Sequence, residues 1–440
     1  MADPITLVGG GLAGSEAAWQ LASRGVAVRL FEMRPRATTP AHTTDLLGEL
    51  VCSNSLGADQ TTSPAGILKG ELETLGSLIL ACARRHRVPA GRALAVDRER
   101  FAREVTRTLE EHPLVEVVRE EVTALPEGPA ILASGPLTSP SLAEALRNLV
   151  GEDFLAFHDA VAPIVTLESV DPERSYRGSR YGQGEDYVNC PLDEPTYRAF
   201  RQALVEAVQA PRHDFEVKQR FFEGCLPIEE IARRGEDTLR FGPMRPVGLP
   251  DPSGREPFAV VQLRQDNEEG TLYNLVGFQT NLLWGEQDRI FRLIPALERA
   301  EFVRKGVMHR NLFVCAPRVL DGFLRPRGRE DLFLAGQVTG VEGYLESTAM
   351  GAAAALFLLA RLRGEELPVF PRETALGSLL HYLKDARPET FQPMNVNLGI
   401  FPKLERKIKS RTERCEAYGV RSAEALAGFL ADHPWCRGSS

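Results

Sequence analysis

The sequence predicts an α/β fold in which a Rossmann-like dinucleotide-binding domain is interrupted by a smaller α+β domain. Three observations predict it. The apolar run Ile5–Val8 passes directly into Gly9-x-Gly11-x-x-Gly14 and then into a helical stretch. From about 157 to 310 the texture changes to aromatic-rich segments punctuated by Gly and Pro. After 311 an α/β texture returns, with a strand, a Gly-rich turn and a small-residue helix. The expected division is therefore 1–156 and 311–440 for the interrupted domain, its second part ending in helices, and 157–310 for the insert. A chain of 440 residues has room for two or three domains.

The first unit reads strand, Gly turn, helix over 15–24, then a second strand over 26–32. In such a turn Gly9 permits the tight bend, Gly11 lets the backbone approach a pyrophosphate, and Gly14 permits close helix–strand packing. Gly10, Leu12 and Ala13 complete the turn, whose helix N-terminus offers unpaired N–H groups to phosphate oxygens. Glu32 stands 18 residues beyond Gly14, where a carboxylate binds a ribose diol. Residues 35–66 read as a long, turn-rich loop. Helices are expected over 67–87 and 97–111, and strands over 115–118, 121–125 and 130–133, the last running into Ser134-Gly135. Near the C-terminus a strand over 332–335 meets Gly336-Gln337, then Gly343-Tyr344 and a buried helix over 347–362.

Composition narrows the function classes. Hydrophobic residues at 43% and charged residues at 25% exclude a disordered or collagen-like chain. A net charge of −8 excludes a broadly basic nucleic-acid binder and leaves room for a local basic face. The seven Cys are widely spaced with no CxxC pair, so neither a metal nor a disulfide scaffold is expected. The N-terminus has no signal-like apolar segment, and the longest apolar run, 349–359, falls short of the roughly 20 residues that span a bilayer. A cytoplasmic location without a membrane partner is expected.

The segment from Leu332 to Tyr344 resembles the second FAD motif of two-dinucleotide-fold flavoproteins of the glutathione-reductase type, with Gln337 where those proteins usually have Asp. Ile131–Gly135 resembles their short strand-to-Gly motif. Together with the N-terminal turn these imply FAD as cofactor, held by Gly9, Gly10, Gly11, Leu12, Ala13, Gly14, Glu32, Gly135, Gly336, Gln337, Gly343 and Tyr344. Glu342 and Glu346 read more simply as a helix-start carboxylate pair.

Further blocks are more specific: Glu49–Leu56 around Cys52, Gly182–Pro191, Phe222–Glu229 around Cys225, Val276–Leu282 and Gly306–Asn311. Over essentially the whole chain the sequence closely resembles the bacterial folate- and FAD-dependent tRNA (uracil-5-)-methyltransferases. The resemblance implies that 5,10-methylenetetrahydrofolate supplies a one-carbon unit to C5 of the T-loop uridine of tRNA. Reduced FAD would supply electrons, and NADH or NADPH would re-reduce it. Uracil C5 becomes nucleophilic once a thiolate adds at C6, and the resemblance implies that Cys52 and Cys225 are the catalytic pair. One would attack C6 while the other assists proton removal or shields the flavin. Cys82, Cys315, Cys415 and Cys436 read as small buried hydrophobes, and Cys190 is open between the two roles.

His309 could stack on a pterin or be an ordinary hydrogen-bonded histidine, Arg310 could bind the folate glutamate or a phosphate, and Asn281 and Gln279 could meet a pterin or flavin edge. If 403–414 is helical, Lys403, Lys407 and Arg411 share a face with Arg414, readable as a tRNA grip or as a solvated surface. Arg84–Arg87 is a second basic candidate. Two other classes remain: an FAD-dependent oxidoreductase acting on a small molecule, and a non-catalytic flavin-bearing tRNA-binding protein.

Overall fold

The computed structural model describes residues 3–39, 41–151, 154–210 and 226–438; at 154–159, 309 and 310 the description is of the backbone. The N-terminal unit forms as its pattern requires. Strand Ile5–Val8 pairs in parallel with Val28–Phe31 on one side and with Ala130–Leu132 on the other. Val115–Val118 and Leu332–Leu334 complete a five-stranded, all-parallel sheet. A chain segment from beyond residue 330 thus enters beside the strand that precedes Ser134-Gly135.

Two helices cross closely on one face of this sheet, Leu12–Ala22 and Tyr344–Leu362. Small residues set the approach: a Cβ on Gly351 would lie 2.2 Å from the Ala13 carbonyl oxygen. The second helix is apolar along its length because it is buried from Leu345 to Ala360 apart from Ser347. That burial accounts for its composition as a core helix.

The insert builds a six-stranded antiparallel sheet in the order Tyr176–Arg177, Tyr187–Leu192, Ala259–Gln265, Leu272–Leu275, Ile164–Thr166, Phe302–Arg304. Helix Glu194–Glu206 packs its Tyr197, Phe200 and Leu204 into a second apolar core with Phe278 and Phe291. An antiparallel ribbon, Phe154–Ala160 with Met308–Val314, carries the chain between the two cores.

Three expected elements differ. The helix over 67–87 is two helices, Pro64–Thr74 and Leu78–Arg85. Gly76 adopts φ 76° between them, and Ser77 caps the second by accepting the Leu80 N–H. The expected strand over 121–125 is not one; with Pro126 close behind, this segment makes no pairing and Val122 faces the cleft described below. The loop over 35–66 contains a short strand, Ser55–Ala58, paired with Ala93–Val96.

One buried acid ties three helices together. The Glu71 carboxylate accepts the N–H groups of Ala375 (2.6 Å) and Leu376 (2.9 Å) at the start of helix Ala375–Asp385, and the Ser422 hydroxyl of helix Arg411–Asp432. Burial pushes its pKa up to about 7, against the hydrogen bonds that lower it. The folded protein therefore takes up a proton there well above the pH at which an unfolded chain would. Stability from this group is full below the unfolded pKa and is lost as pH rises through about 7. Glu71→Gln is expected to flatten the decline in unfolding free energy, read from denaturant titrations, on raising the pH from about 5 to about 8, by up to about 3 kcal/mol. Glu346, also raised to about 7 by burial, would keep the remaining slope. Equal slopes in both proteins would refute the assignment.

Candidate functional site

At the end of strand Ile5–Val8 the chain turns through Gly9, at φ 102°, where a Cβ would lie 2.4 Å from the Ala133 carbonyl oxygen. A Cβ on Gly14 would lie 1.8 Å from the Gly9 oxygen, so the first turn of the helix presses directly on the strand end. Gly11, the N-cap, is different: a Cβ there would meet nothing within 4 Å. Its backbone borders open space, and no side chain caps the helix. That is the arrangement in which a helix terminus receives an anion.

Glu32 closes one side. It accepts the Gly10 N–H (3.0 Å) and pairs with Arg34 at 2.8 and 3.1 Å. Burial works to raise its pKa, but hydrogen bonds and charge from Arg34, with the Gly10 N–H, hold the carboxyl below its usual range. Arg34 also reaches Glu49 at 2.9 Å, which connects the nucleotide-type turn to the loop carrying Cys52.

A cleft runs from this turn across the sheet edge. It is lined by Gly9, Gly10, Gly11, Leu12, Ala13, Glu32, Gly135, Gly336, Gln337 and Tyr344. The two remaining expected residues, Gly14 and Gly343, stand just behind its wall. Gly14 serves helix–strand packing, and Gly343, at φ 116°, is the uncapped N-cap of helix Tyr344–Leu362. Ser347 lines the cleft one turn on, so a second helix N-terminus faces the same space. The Gln337 amide donates to Glu342, while Glu346 accepts the Val396 N–H (2.9 Å), so these acids belong to the helix start and its neighbours.

Cys52 lies at this second end. Its N–H (2.7 Å) and that of Ser53 (3.1 Å) both donate to the Tyr344 phenol oxygen. Its Sγ is 3.7 Å from the Ala160 carbonyl oxygen, and the residue is half-buried. Burial pushes the Tyr344 phenol well up, so it stays protonated. Four arginines from four places in the chain grip the Cys52 loop. Arg34 holds Glu49, Arg98 donates to the Leu50 carbonyl (2.8 Å), and Arg304 to the Val51 carbonyl (2.9 Å). Arg264 donates to Ser53 Oγ (2.8 Å) and Asn54 Oδ1 (2.9 Å). None of the four figures among the residues expected from sequence, and no local motif marks them.

The other expected residues are distributed as follows. Cys225 lies outside the described residues. Asn281 is buried in the insert, its N–H donating to Glu229 (2.8 Å) and its side chain to the Ala210 carbonyl (3.4 Å); it is not among the cleft-lining residues. His309 and Arg310 stand on strand Met308–Val314, in register with Asp159 and His158. Lys403, Lys407 and Arg411 are exposed, but they do not share a helix face. Residues 402–410 are irregular, because the Arg421 guanidinium takes the Pro402 (2.6 Å) and Lys403 (3.1 Å) carbonyls and Ser410 caps a helix that begins only at Arg411. Arg84 is paired with Asp59 and Glu73, and Arg85 with Glu104. Cys190 resolves as a fully buried strand residue whose thiol burial pushes up to about 12.

A family model described as Glucose inhibited division protein A matches residues 4–366. The Methylenetetrahydrofolate--tRNA-(uracil-5-)-methyltransferase TrmFO of Moorella thermoacetica is 58% identical over 427 residues, covering 96% of this chain and 98% of that protein. The protein of the same name from Desulforudis audaxviator is 56% identical over 436 residues, with 98% and 99% covered. Among solved structures, GidA of Aquifex aeolicus in its form II crystal superposes with a TM-score of 0.70 at 16% identity, covering 97% of this chain and 73% of that one. That likeness shows a shared fold.

Proposed function

Since the chain belongs to the methylenetetrahydrofolate--tRNA-(uracil-5-)-methyltransferase family, we propose that it methylates C5 of the T-loop uridine of tRNA with 5,10-methylenetetrahydrofolate as carbon donor, FAD as redox cofactor and NADH or NADPH as reductant. The observation that carries this reading is the Cys52 backbone: its N–H is bonded to the Tyr344 phenol, and Tyr344 and the adjacent Val51 both line the dinucleotide-type cleft, which supports a thiol close to its far end.

The residues present fit FAD. Gly11 opens onto the cleft, two helix N-termini face it, and Glu32 borders the adenosine end. Gly9–Ala13 and Glu32 would hold the adenosine and pyrophosphate portion, Gly135 the strand end beside it, and Gly336, Gln337 and Tyr344 the flavin portion. When bound, FAD supplies the electrons that turn a methylene group into a methyl group.

The chain's own chemistry is nucleophilic. A thiolate from Cys52 or Cys225 adds to uracil C6, and the electron pair moves through C5 onto the C4 carbonyl oxygen. C5 then attacks the folate methylene. The other cysteine assists loss of the C5 proton, the methylene–folate nitrogen bond then breaks to release tetrahydrofolate and leave an exocyclic methylene on C5, and addition of the hydride equivalent that reduced FAD would supply makes the methyl group as the thiolate leaves C6 and the ring is restored. Asn281, His309 and Arg310 are proposed for folate, and Lys403, Lys407 and Arg411 for tRNA phosphates. We retain the domain division 1–156, 157–310 and 311–440, supported by the two separate apolar cores, and a cytoplasmic site of action.

The test uses FAD-loaded protein, unmodified tRNA transcript, NADH or NADPH, and folate labelled at the methylene carbon. Digested RNA is expected to contain labelled 5-methyluridine. Absence of label with reduced flavin under anaerobic conditions, or label drawn from S-adenosylmethionine instead, would overturn the reading.

A further inference from the structure

Glu346 is a buried acid with no part in nucleotide contact or in nucleophilic attack. It stands in the first turn of helix Tyr344–Leu362 and is 6% exposed. Its carboxylate folds back on the helix start. Oε1 accepts the Val396 N–H at 2.9 Å, and a Cβ on Gly343 would lie 2.2 Å from Oε2. Gly343 is the uncapped N-cap, while Tyr344 and Ser347 line the cleft from the same turn. The carboxylate therefore sits behind the helix N-terminus whose open side faces the cleft. Burial outweighs its hydrogen bonds and raises its pKa to about 7. The cation that faces it is Lys69 of helix Pro64–Thr74, whose ammonium is spent on the Leu56 and Ala58 carbonyls, both at 2.8 Å, and is itself held down to about 8 by burial. Glu71 on that helix is committed to Ala375, Leu376 and Ser422, and Glu16 on helix Leu12–Ala22 to Gln20, Ser77 and Ile79. Glu342 takes the Gln337 amide, and the segment 391–401, which supplies Val396, has no titratable side chain.

We propose that Glu346 is the proton partner of the flavin: when FAD in this cleft is reduced by NADH or NADPH, Glu346 takes up one proton from solvent. The nicotinamide passes a hydride to the flavin ring, two electrons and one proton together, and the ring is left with one negative charge. Two anions then share one helix N-terminus, the ring in front of it and the carboxylate behind. A like charge disfavours the ionised carboxyl, so the carboxylate gives way by protonation. The coupling is reciprocal, so a protonated Glu346 favours the reduced flavin. Glu346 is already half protonated near pH 7 before reduction, and uptake is therefore largest above that pH. When the flavin gives its electrons to the methylene group, charge leaves the ring and the proton leaves Glu346.

The inference rests on FAD as the occupant of the cleft, but its test needs neither tRNA nor folate. The reduction potential of FAD-loaded protein is measured against reference dyes from about pH 6 to about pH 8, and its slope gives the protons taken up per electron pair. Above about pH 7 the wild type should take up close to two protons, and Glu346→Gln, which keeps an oxygen for the Val396 N–H, close to one. Lys69 is the same in both proteins, so the difference belongs to Glu346. The variant's potential should lie above that of the wild type at about pH 8 and meet it at about pH 6. Infrared difference spectra of the wild type should gain a protonated-carboxyl band on reduction. One proton per electron pair in the wild type, or no such band, would overturn the proposal even if the variant failed to fold. Equal counts in the two proteins would overturn it too, as would a reduced-flavin absorbance spectrum of the neutral form, which places the proton on the ring. Two protons and a carboxyl band without methyl transfer would defeat the functional reading alone, whereas protein that binds no FAD would defeat the cofactor reading and this inference with it.

Discussion

Cys52→Ala is expected to lower methyl transfer to tRNA by roughly 10³-fold or more while leaving flavin content and thermal stability close to those of the parent protein. Removal of either the attacking nucleophile or the group that assists proton removal is costly because no neighbouring group replaces it, and losses of this order are usual for such residues. The fold should tolerate the change. Both backbone bonds to Tyr344 come from N–H groups that alanine retains, and the arginine contacts fall on residues 49–51 and 53–54. A half-buried thiol lost from that frame should alter stability by less than about 1 kcal/mol. Cys225→Ala should cost activity on a comparable scale. Trapping with 5-fluorouridine tRNA then divides the roles: the variant that forms no covalent adduct has lost the group that adds to C6. Adducts in both variants would show that neither thiol is that group.

The parts of the site that were legible in the sequence are those built by neighbours in the chain. Gly9, Gly11, Gly14 and Glu32 follow one another within a single strand–turn–helix–strand unit, so spacing alone orders them. The same holds for Gly336 through Tyr344. The Cys52 block was legible only as a family resemblance, and its setting was not. Arg98, Arg264 and Arg304 look like surface arginines in sequence, since nothing local indicates that a loop more than forty residues away will cover them. Their burial follows from tertiary closure of the insert against the first domain.

The shared helical face of the basic cluster does not form, for a related reason. Its helical face was inferred from periodicity, but Arg421 captures the Pro402 and Lys403 carbonyls before the helix starts. A tertiary hydrogen bond overrode a plausible local pattern. The continuous helix over 67–87 failed because Gly76-Ser77 supplies both a left-handed residue and a cap.

Gly14→Ala should have the largest structural effect of any single methyl group added to the dinucleotide turn. The new Cβ would lie 1.8 Å from the Gly9 carbonyl oxygen and 3.0 Å from its carbon. Both are backbone atoms of the strand end, and Gly9 is itself fixed against Ala133. No side chain can rotate away, so helix Leu12–Ala22 must lift off the sheet. That movement opens the Gly11 approach and disturbs the crossing at Ala13 and Gly351, which depends on the same helix. The cost is expected to be at least about 3 kcal/mol, beyond the usual range for a well-accommodated extra methyl. Purified variant protein should lack flavin, read as the ratio of absorbance near 450 nm to protein, and should unfold at markedly lower denaturant. Gly70→Ala is the control, because Gly70 is exposed on helix Pro64–Thr74 with nothing within 4 Å of a new Cβ. It should be neutral or stabilise by up to about 1 kcal/mol. If Gly14→Ala kept full flavin and an unchanged midpoint, the close helix–strand contact would not be what holds the dinucleotide cradle in shape.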